Sequence, residues 1–245
     1  MSPDRRQHRG AHPSDHELFA AERVPVLRRA VAELSWLLSR GYAGKSALKL
    51  VGDRHNLTER QRAACGRAAC SDERLARRQQ SQLPCEQLAG ERVVVDGFNL
   101  IVTLEAALSG GVVILCRDGC LRDLSSVHGS YRSVEETATA AELIGAALAQ
   151  LAVSEVHWLL DSPVGNSGRL AGTLRSLAAE RGWPWRVELL FNPDAAIITD
   201  DRVALTSDSA ILDAVARWAN LSAHLCAQSQ LNPWLIDLRD EKSSQ

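Results

Sequence analysis

The chain has 245 residues, 45% of them hydrophobic, enough for one large or two small globular domains with a real core. Its formal net charge of −2 is unevenly spread: residues 1–90 carry 16 Lys and Arg against 10 Asp and Glu, and the remainder carries 12 against 20. No apolar run approaches the ~20 residues of a membrane span, the polar opening Asp4-Arg5-Arg6-Gln7-His8-Arg9 leads into no apolar secretory segment, and the six cysteines form no Cys-x-x-Cys pair, so a membrane span, a secreted protein and a zinc site are set aside and a cytoplasmic chain with reduced thiols is expected.

Residues 1–23, rich in Arg, His, Pro and Ser, read as a disordered tail. An all-α domain is expected over 24–84. Leu27, Ala30, Val31, Leu34, Leu37 and Leu38 recur at helical spacing from Pro25, and Gly41 supplies the stop. A short helix fits Lys45 to Val51, closed by Gly52. Thr58-Glu59-Arg60-Gln61 then has the pattern of a capping box opening a third helix to about Cys70. Such a trihelical unit suits a helix-turn-helix in which Arg60, Arg62 and Arg67 face phosphates, or a helical cap whose arginines are ordinary solvated charges. The polar stretch from Asp72 to Gln82, interrupted by Pro84, reads as a helix end and linker.

A second domain is expected over 90–227. Val93-Val94-Val95-Asp96-Gly97-Phe98-Asn99-Leu100 makes a buried strand that Gly97 breaks, leaving a carboxylate at the strand's carboxyl end. A short helix follows from Thr103 to Leu108. Val112 to Cys116, the turn Arg117-Asp118-Gly119 and Cys120 to Leu124 suggest a hairpin in which Asp118 and Asp123 serve as turn and edge residues. The Ala-rich stretch Val134 to Leu151 is the strongest helix, with Glu135 and Glu136 at its start. Strand Val156 to Leu160, helix Gly168 to Arg181 stopped at Gly182, strand Trp185 to Phe191, strand Val203 to Leu205 and helix Ser209 to Trp218 complete the alternation. Leu221 to Leu225 reads as a last strand, and residues 228–245 as a polar tail in which Trp234-Leu235-Ile236 packs back. Strands alternating with helices in this rhythm predict an α/β fold with a three-layer, mainly parallel sheet.

Two later stretches repeat the design of the first strand: Trp158-Leu159-Leu160-Asp161-Ser162-Pro163 and Val203-Ala204-Leu205-Thr206-Ser207-Asp208. If the three strands lie parallel, Asp96, Asp161 and Asp208 gather at one sheet edge. Convergent carboxylates without a cationic partner call for a hard divalent cation, Mg²⁺ or Mn²⁺. Asn99 braces Asp96 or binds a substrate phosphate. The loop from Ser162 to Gly168, with Asn166 and Ser167 before a helix, holds a phosphate on its amides or is a plain helix cap. Asp208 or Ser209 caps the next helix, at a position that also suits coordination; Ser207 and Ser209 stand as substrate contacts, and Asp213 as an outer-shell carboxylate. His128, His157 and His224 are isolated, no Gly-x-Ser-x-Gly elbow is present, and Gly97 stands alone where a dinucleotide fold needs a glycine-rich fingerprint.

The Asp-Gly-Phe-Asn opening, the Leu-Leu-Asp-Ser-Pro middle and the Thr-Ser-Asp-Ser-Ala-Ile-Leu-Asp close resemble the PIN-like nuclease superfamily, particularly its NYN and YacP-like branches, over roughly residues 91–226. The layout is similar to an uncharacterised prokaryotic family in which a helical domain of unknown function, here roughly 24–78, precedes a PIN-like domain. The resemblance implies a sheet of PIN-like type and a metal-dependent endoribonuclease, with Asp96, Asp161 and Asp208 as catalytic acids and Asn99 matching the family's Asp-x-x-Asn. Asp194 matches the third acid of the YacP-like pattern, with Ala195 where a second acid is usual and Asp200 and Asp201 nearby. RNA or another nucleic acid is the implied partner. A catalytically inactive nucleic-acid-binding or regulatory protein and a small-substrate phosphatase stay open as alternatives, as does a homodimer.

Overall fold

A computed structural model describes residues 8–125, 131–228 and 231–239. The amino-terminal half is helical: α1 (Asp15–Leu18), α2 (Val24–Leu38), α3 (Gly44–Arg54), α4 (Glu59–Ala68) and α5 (Asp72–Ser81). Then follow β1 (Arg92–Asp96), α6 (Gly97–Leu108), β2 (Val112–Leu115), β3 (Leu121–Asp123), α7 (Glu136–Gln150), β4 (Glu155–Asp161), α8 (Ser167–Arg181) and β5 (Trp185–Leu190). The chain goes on through α9 (Pro193–Thr199), β6 (Val203–Leu205), α10 (Ser209–Leu212), β7 (Trp218–Ala219), α11 (Leu221–Gln228) and β8 (Trp234–Asp237). No helix among the described residues is long and apolar enough to cross a membrane.

Five strands form a parallel sheet in the order β5-β4-β1-β6-β7, with β1 in the centre. The side-chain period of two sorts β1 between two cores. Val93 and Val95 pack with Trp158, Leu160 and Leu205 against α6, α7, α8 and α11, whereas Val94 packs with Leu159 and Ala204 against α9 and α10. The α/β, three-layer expectation is met in this arrangement. Gly97 is required where β1 turns directly into α6, because a Cβ there would lie 2.9 Å from the Leu159 carbonyl and inside the Leu160 side chain. The helix therefore starts at Gly97, six residues before the expected Thr103.

A second sheet, β3-β2-β8, contains the expected hairpin and a strand from the carboxyl-terminal region. Trp234-Leu235-Ile236 packs back as expected, and does so as a strand: Trp234 to Asp237 pairs in parallel with β2, a long-range pairing that no local pattern announces. One face of this sheet, with Val112, Ile114, Ile236 and Leu238, shares a core with Leu27, Val31, Leu34, Ala64 and Cys65 of the helical unit. The other face packs Val113 and Leu121 on Ala106 and Ala107 of α6. The helical unit is thus fused to the α/β unit through apolar contact.

Among the local expectations one is met in full and several change. The capping box is present in full, with Gln61 N–H donating to Thr58 Oγ1 and Thr58 N–H to Gln61 Oε1. Helix α3 runs through Gly52 to Arg54, because Gly52 is the point where the Arg62 guanidinium crosses the helix and Asn56 takes the left-handed φ instead. Residues 15–18 are helical and Phe19 is buried, tied down by an ion pair between buried Asp15 and Arg60 and by His16 stacked on Trp234. Further upstream, Arg9 pairs with Glu105 of α6. The amino-terminal segment from residue 8 is therefore part of the fold; residues 1–7 lie outside the described residues. Leu221 to Gln228 is helical where a strand was expected, and the helix from Ser209 ends at Leu212, with Trp218 and Ala219 entering the sheet as β7.

The stretch read as a linker is α5, capped by Ser71, and its Arg78 is buried to 2% exposure. Arg78 donates to Asp118 at 2.6 Å, to Asp213 at 2.8 Å and to the Ser209 carbonyl at 3.1 Å. Asp118, from the hairpin turn, also accepts from Arg122 Nη1 and Nη2 at 3.0 and 2.7 Å. Burial alone would raise the Asp118 pKa, yet the Arg122 and Arg78 guanidiniums more than offset that and hold it below the ordinary carboxylate value. Removing Asp118 leaves two buried guanidiniums facing each other. Asp118→Ala is expected to cost about 3–5 kcal/mol of stability in urea denaturation. Arg74→Ala, at an exposed partner of Asp213, should stay within about 0.5 kcal/mol of wild type.

Candidate functional site

Because the central strands are parallel, their carboxyl ends share one edge, and the acids that end them meet there. Asp96 ends β1, Asp161 ends β4, Asp194 lies in the first turn of α9 just beyond β5, and Asp208 follows β6. All four line one cleft of about 530 Å³, together with Asn99, Ser207 and Ser209. Asp123 of β3, Arg122 and, from α4, Gly66 and Arg67 line the same cleft.

The cleft's electrostatics follow from its composition. None of Asp96, Asp161, Asp194 and Asp208 forms an ion pair with a described residue. Asp96 is 7% exposed, and burial, with added repulsion from Asp208, Asp194 and Asp161, pushes its pKa up from 3.8 to about 7 against the lowering effect of a Thr206 hydrogen bond. Burial likewise raises Asp161 and Asp194, the latter with help from Asp208 and Asp161. Thr206 Oγ1 donates to Asp96 Oδ2 at 2.8 Å and accepts from the Asp208 N–H at 3.0 Å, so a single hydroxyl sets the spacing of two acids. Asp208 Oδ1 caps α10 by accepting from the Ala210 and Ile211 amides.

The other sequence-derived candidates divide. Asn99 braces Ser207, whose N–H and Oγ both donate to Asn99 Oδ1, at 2.8 and 2.9 Å; the brace on Asp96 is Thr206. Ser162, Asn166 and Ser167 do not line the cleft. Two of the loop's amides are already paired, Ser162 N–H donating to Leu190 O of β5 and Ser167 N–H to Val164 O, and the Asn166 side chain donates to Tyr131 O. Ser162, Asn166 and Ser167 therefore bring no contact to the space that the strand-end acids share. Asp213 is no outer-shell ligand, since Arg78 and Arg74 occupy it. Arg60 is bound to Asp15, and Arg62 to Asp53 and the Leu57 and Lys49 carbonyls, so both are already engaged within the helical unit; Arg67 alone of the three lines the cleft. His157 is packed between Glu188 and Arg202, His224 stands 3.5 Å from Glu86, and His128 lies outside the described residues. Glu142 pairs with Arg181 and Glu136 with His8, away from the cleft.

Sequence reasoning missed two contributors. Thr206 was visible only as the residue before Ser207-Asp208, and Asp123, read as an edge residue, is a fifth carboxylate in the cleft, held by Thr103 Oγ1 at 3.1 Å.

Among the described residues no group of three His, Cys, Asp or Glu is placed to hold a metal ion, so a closed, zinc-type cage is not preformed. Oxygen donors without His or Cys, in an anionic cleft, fit an ion that keeps part of its water shell, as Mg²⁺ does with one or two carboxylates.

Fold and cleft together define a helical unit joined to a parallel α/β unit that carries strand-end carboxylates. Residues 85–224, more than half of the chain, match the family described as "Domain of unknown function (DUF5616)", and the chain belongs to that family. Residues 26–80 match the family described as "Protein of unknown function (DUF434)". The chain is 28% identical over 186 residues, 76% of its length and 88% of the relative's, to "Uncharacterized protein MJ0935" of Methanocaldococcus jannaschii. No solved structure matches.

The raised pKa of Asp96 has a defined sign. The folded state holds this proton more tightly than the unfolded chain, so its stabilising effect is complete below about pH 4 and is lost as pH rises through about 7. In metal-free buffer wild-type stability should fall by up to about 4 kcal/mol across that window. Asp96→Asn keeps an acceptor for Thr206 and should flatten this slope, making the variant the more stable protein at pH 8. Parallel urea titrations across pH in EDTA measure both, and superimposable profiles would refute the assignment.

Proposed function

We propose that the protein is a divalent-metal-dependent nuclease of PIN-like architecture, an endoribonuclease, with Asp96, Asp161, Asp194 and Asp208 as its metal-facing acids. The observation that carries this reading is Asp96: buried at the end of the central strand, turned toward three further carboxylates, and without a basic partner among the described residues. A buried carboxylate without counter-charge is costly, and a divalent cation offsets several at once. The order and spacing of the acidic motifs add the nuclease assignment, and RNA as substrate comes from that motif resemblance alone.

Mg²⁺ or Mn²⁺, when bound, supplies Lewis-acid stabilisation of a phosphodiester and acidifies water. The chain's contribution is orientation. Thr206 takes one oxygen of Asp96 and the helix α10 amides take one oxygen of Asp208, leaving the second oxygen of each without a hydrogen-bond donor among the described residues. Asn99 fixes Ser207, the residue before Asp208. No side chain is needed as a nucleophile, in keeping with the lack of a Ser-His or Cys-His pairing in the cleft.

The unassembled ligand set favours one second reading, a PIN-like nucleic-acid-binding or regulatory protein without catalysis. Incubation with labelled single-stranded RNA and Mn²⁺ separates the two. The nuclease reading expects cleavage by wild type that drops at least about a hundredfold in Asp96→Asn. It also expects Mn²⁺ to raise the thermal midpoint of wild type more than that of the variant. Binding without cleavage by either protein, with no metal-dependent shift, would replace it with the second reading.

A further inference from the structure

Part of the cleft's lining comes from the helical unit. Arg67, near the end of α4, and Arg122, on β3, face the same space as the strand-end acids. Their charges are not equally available. Arg122 gives both Nη groups to Asp118 and its Nε to the Ser207 carbonyl at 2.7 Å, so its charge is cancelled where it sits. Arg67 donates to the main-chain carbonyls of Asp123 and Ser125, the latter at 3.2 Å, and makes no ion pair with a described carboxylate. A carbonyl aims a guanidinium without cancelling its charge. Arg67 therefore keeps its positive charge on the wall of a cleft that also holds Asp96, Asp123, Asp161, Asp194 and Asp208.

For a polyanion this distribution is restrictive. Five carboxylates repel a phosphodiester, and a guanidinium, with its planar fork of donors, is the group suited to receive one. The neighbouring arginines of the same helix do not share the task, since Arg60 is bound to Asp15 and Arg62 to Asp53. Resting on the nuclease reading above, we propose that Arg67 is a phosphate-positioning residue of the cleft, supplied by the helical unit, which holds the RNA backbone beside the strand-end acids. The helical unit then acts as one side of the site, in place of an outward-facing helix-turn-helix.

The test is binding, which does not require turnover. Affinity of a short, mixed-sequence, fluorescein-labelled oligoribonucleotide is measured by anisotropy across a salt series with Mn²⁺, in wild type and in the Asp96→Asn background. Arg67→Ala should weaken binding about tenfold and lower the slope of log affinity against log salt by about one; Arg67→Lys should restore the slope and part of the affinity, and Arg62→Ala should leave both unchanged. A purely structural Arg67 would not move the salt slope. Should Arg67→Ala fail to fold, phenylglyoxal modification of wild type decides: RNA should protect Arg67. Equal modification with and without RNA, or no modification in either case, overturns the proposal. So does an Arg67→Ala protein that folds and keeps wild-type affinity and slope. RNA cleaved normally by that variant removes the proposal and leaves the nuclease reading standing; Arg67-dependent binding without any cleavage does the reverse; no RNA binding by wild type or Asp96→Asn removes this proposal outright.

Discussion

The arrangement of the cleft depends on one buried carboxylate, Asp118. It sits in a hairpin turn, yet it gathers Arg78 from the helical unit and Arg122 from the hairpin, and those two guanidiniums reach on to the carbonyls of Ser209 and Ser207. The residue between those carbonyls is Asp208. A charge network with 1–8% side-chain exposure at its three central members thus ties two separate pieces of chain, α5 and the hairpin, to the loop that presents an acid to the cleft. Such a network contributes little net stability relative to an apolar core of the same volume. Its value lies in orientation, because each bond is directional and each unmade bond is expensive at that depth.

Around that anchor the fold places opposing demands on a small space. Parallel strands bring aspartates together whether or not they attract, and burial then raises the cost of ionising them, most of all for Asp96. The network below is fully paired, whereas the four acids above it have no ion-pair partner among the described residues. Structural charge here is balanced and cleft charge is left open, which is the pattern expected where a protein keeps electrostatic free energy for a ligand.

The parts of this arrangement legible in the sequence are those set by near neighbours. The period-two sorting of Val93, Val94 and Val95, the Thr58-to-Gln61 capping box and the left-handed stop at Gly182 are all local, and each stands where the sequence places it. The gathering of Asp96, Asp161 and Asp208 was legible too, because parallel strands leave one edge for all three. What stayed hidden was the non-local part. Arg78 lies in a stretch as polar as any linker, and nothing nearby indicates that Asp118 waits forty residues on to bury it. Ser162, Asn166 and Ser167 look like a phosphate loop by composition, and nothing local shows that Ser162 N–H goes to Leu190 O of β5 or that all three stand outside the cleft. Leu221 to Leu225 has strand-like composition but is too close behind β7 to re-enter the sheet, and turns into a helix over α6 instead.

The pairing of β8 with β2 has a consequence for how the chain matures. The core of the helical unit includes Ile236 and Leu238, so the helices, synthesised earlier than β8, cannot complete their apolar interior until that strand has left the ribosome. During elongation α2 and α4 present a hydrophobic face that waits for a strand more than 160 residues away. Long-range closure of this kind is slow compared with local helix formation, and the nascent amino-terminal half is the species on which a chaperone would act.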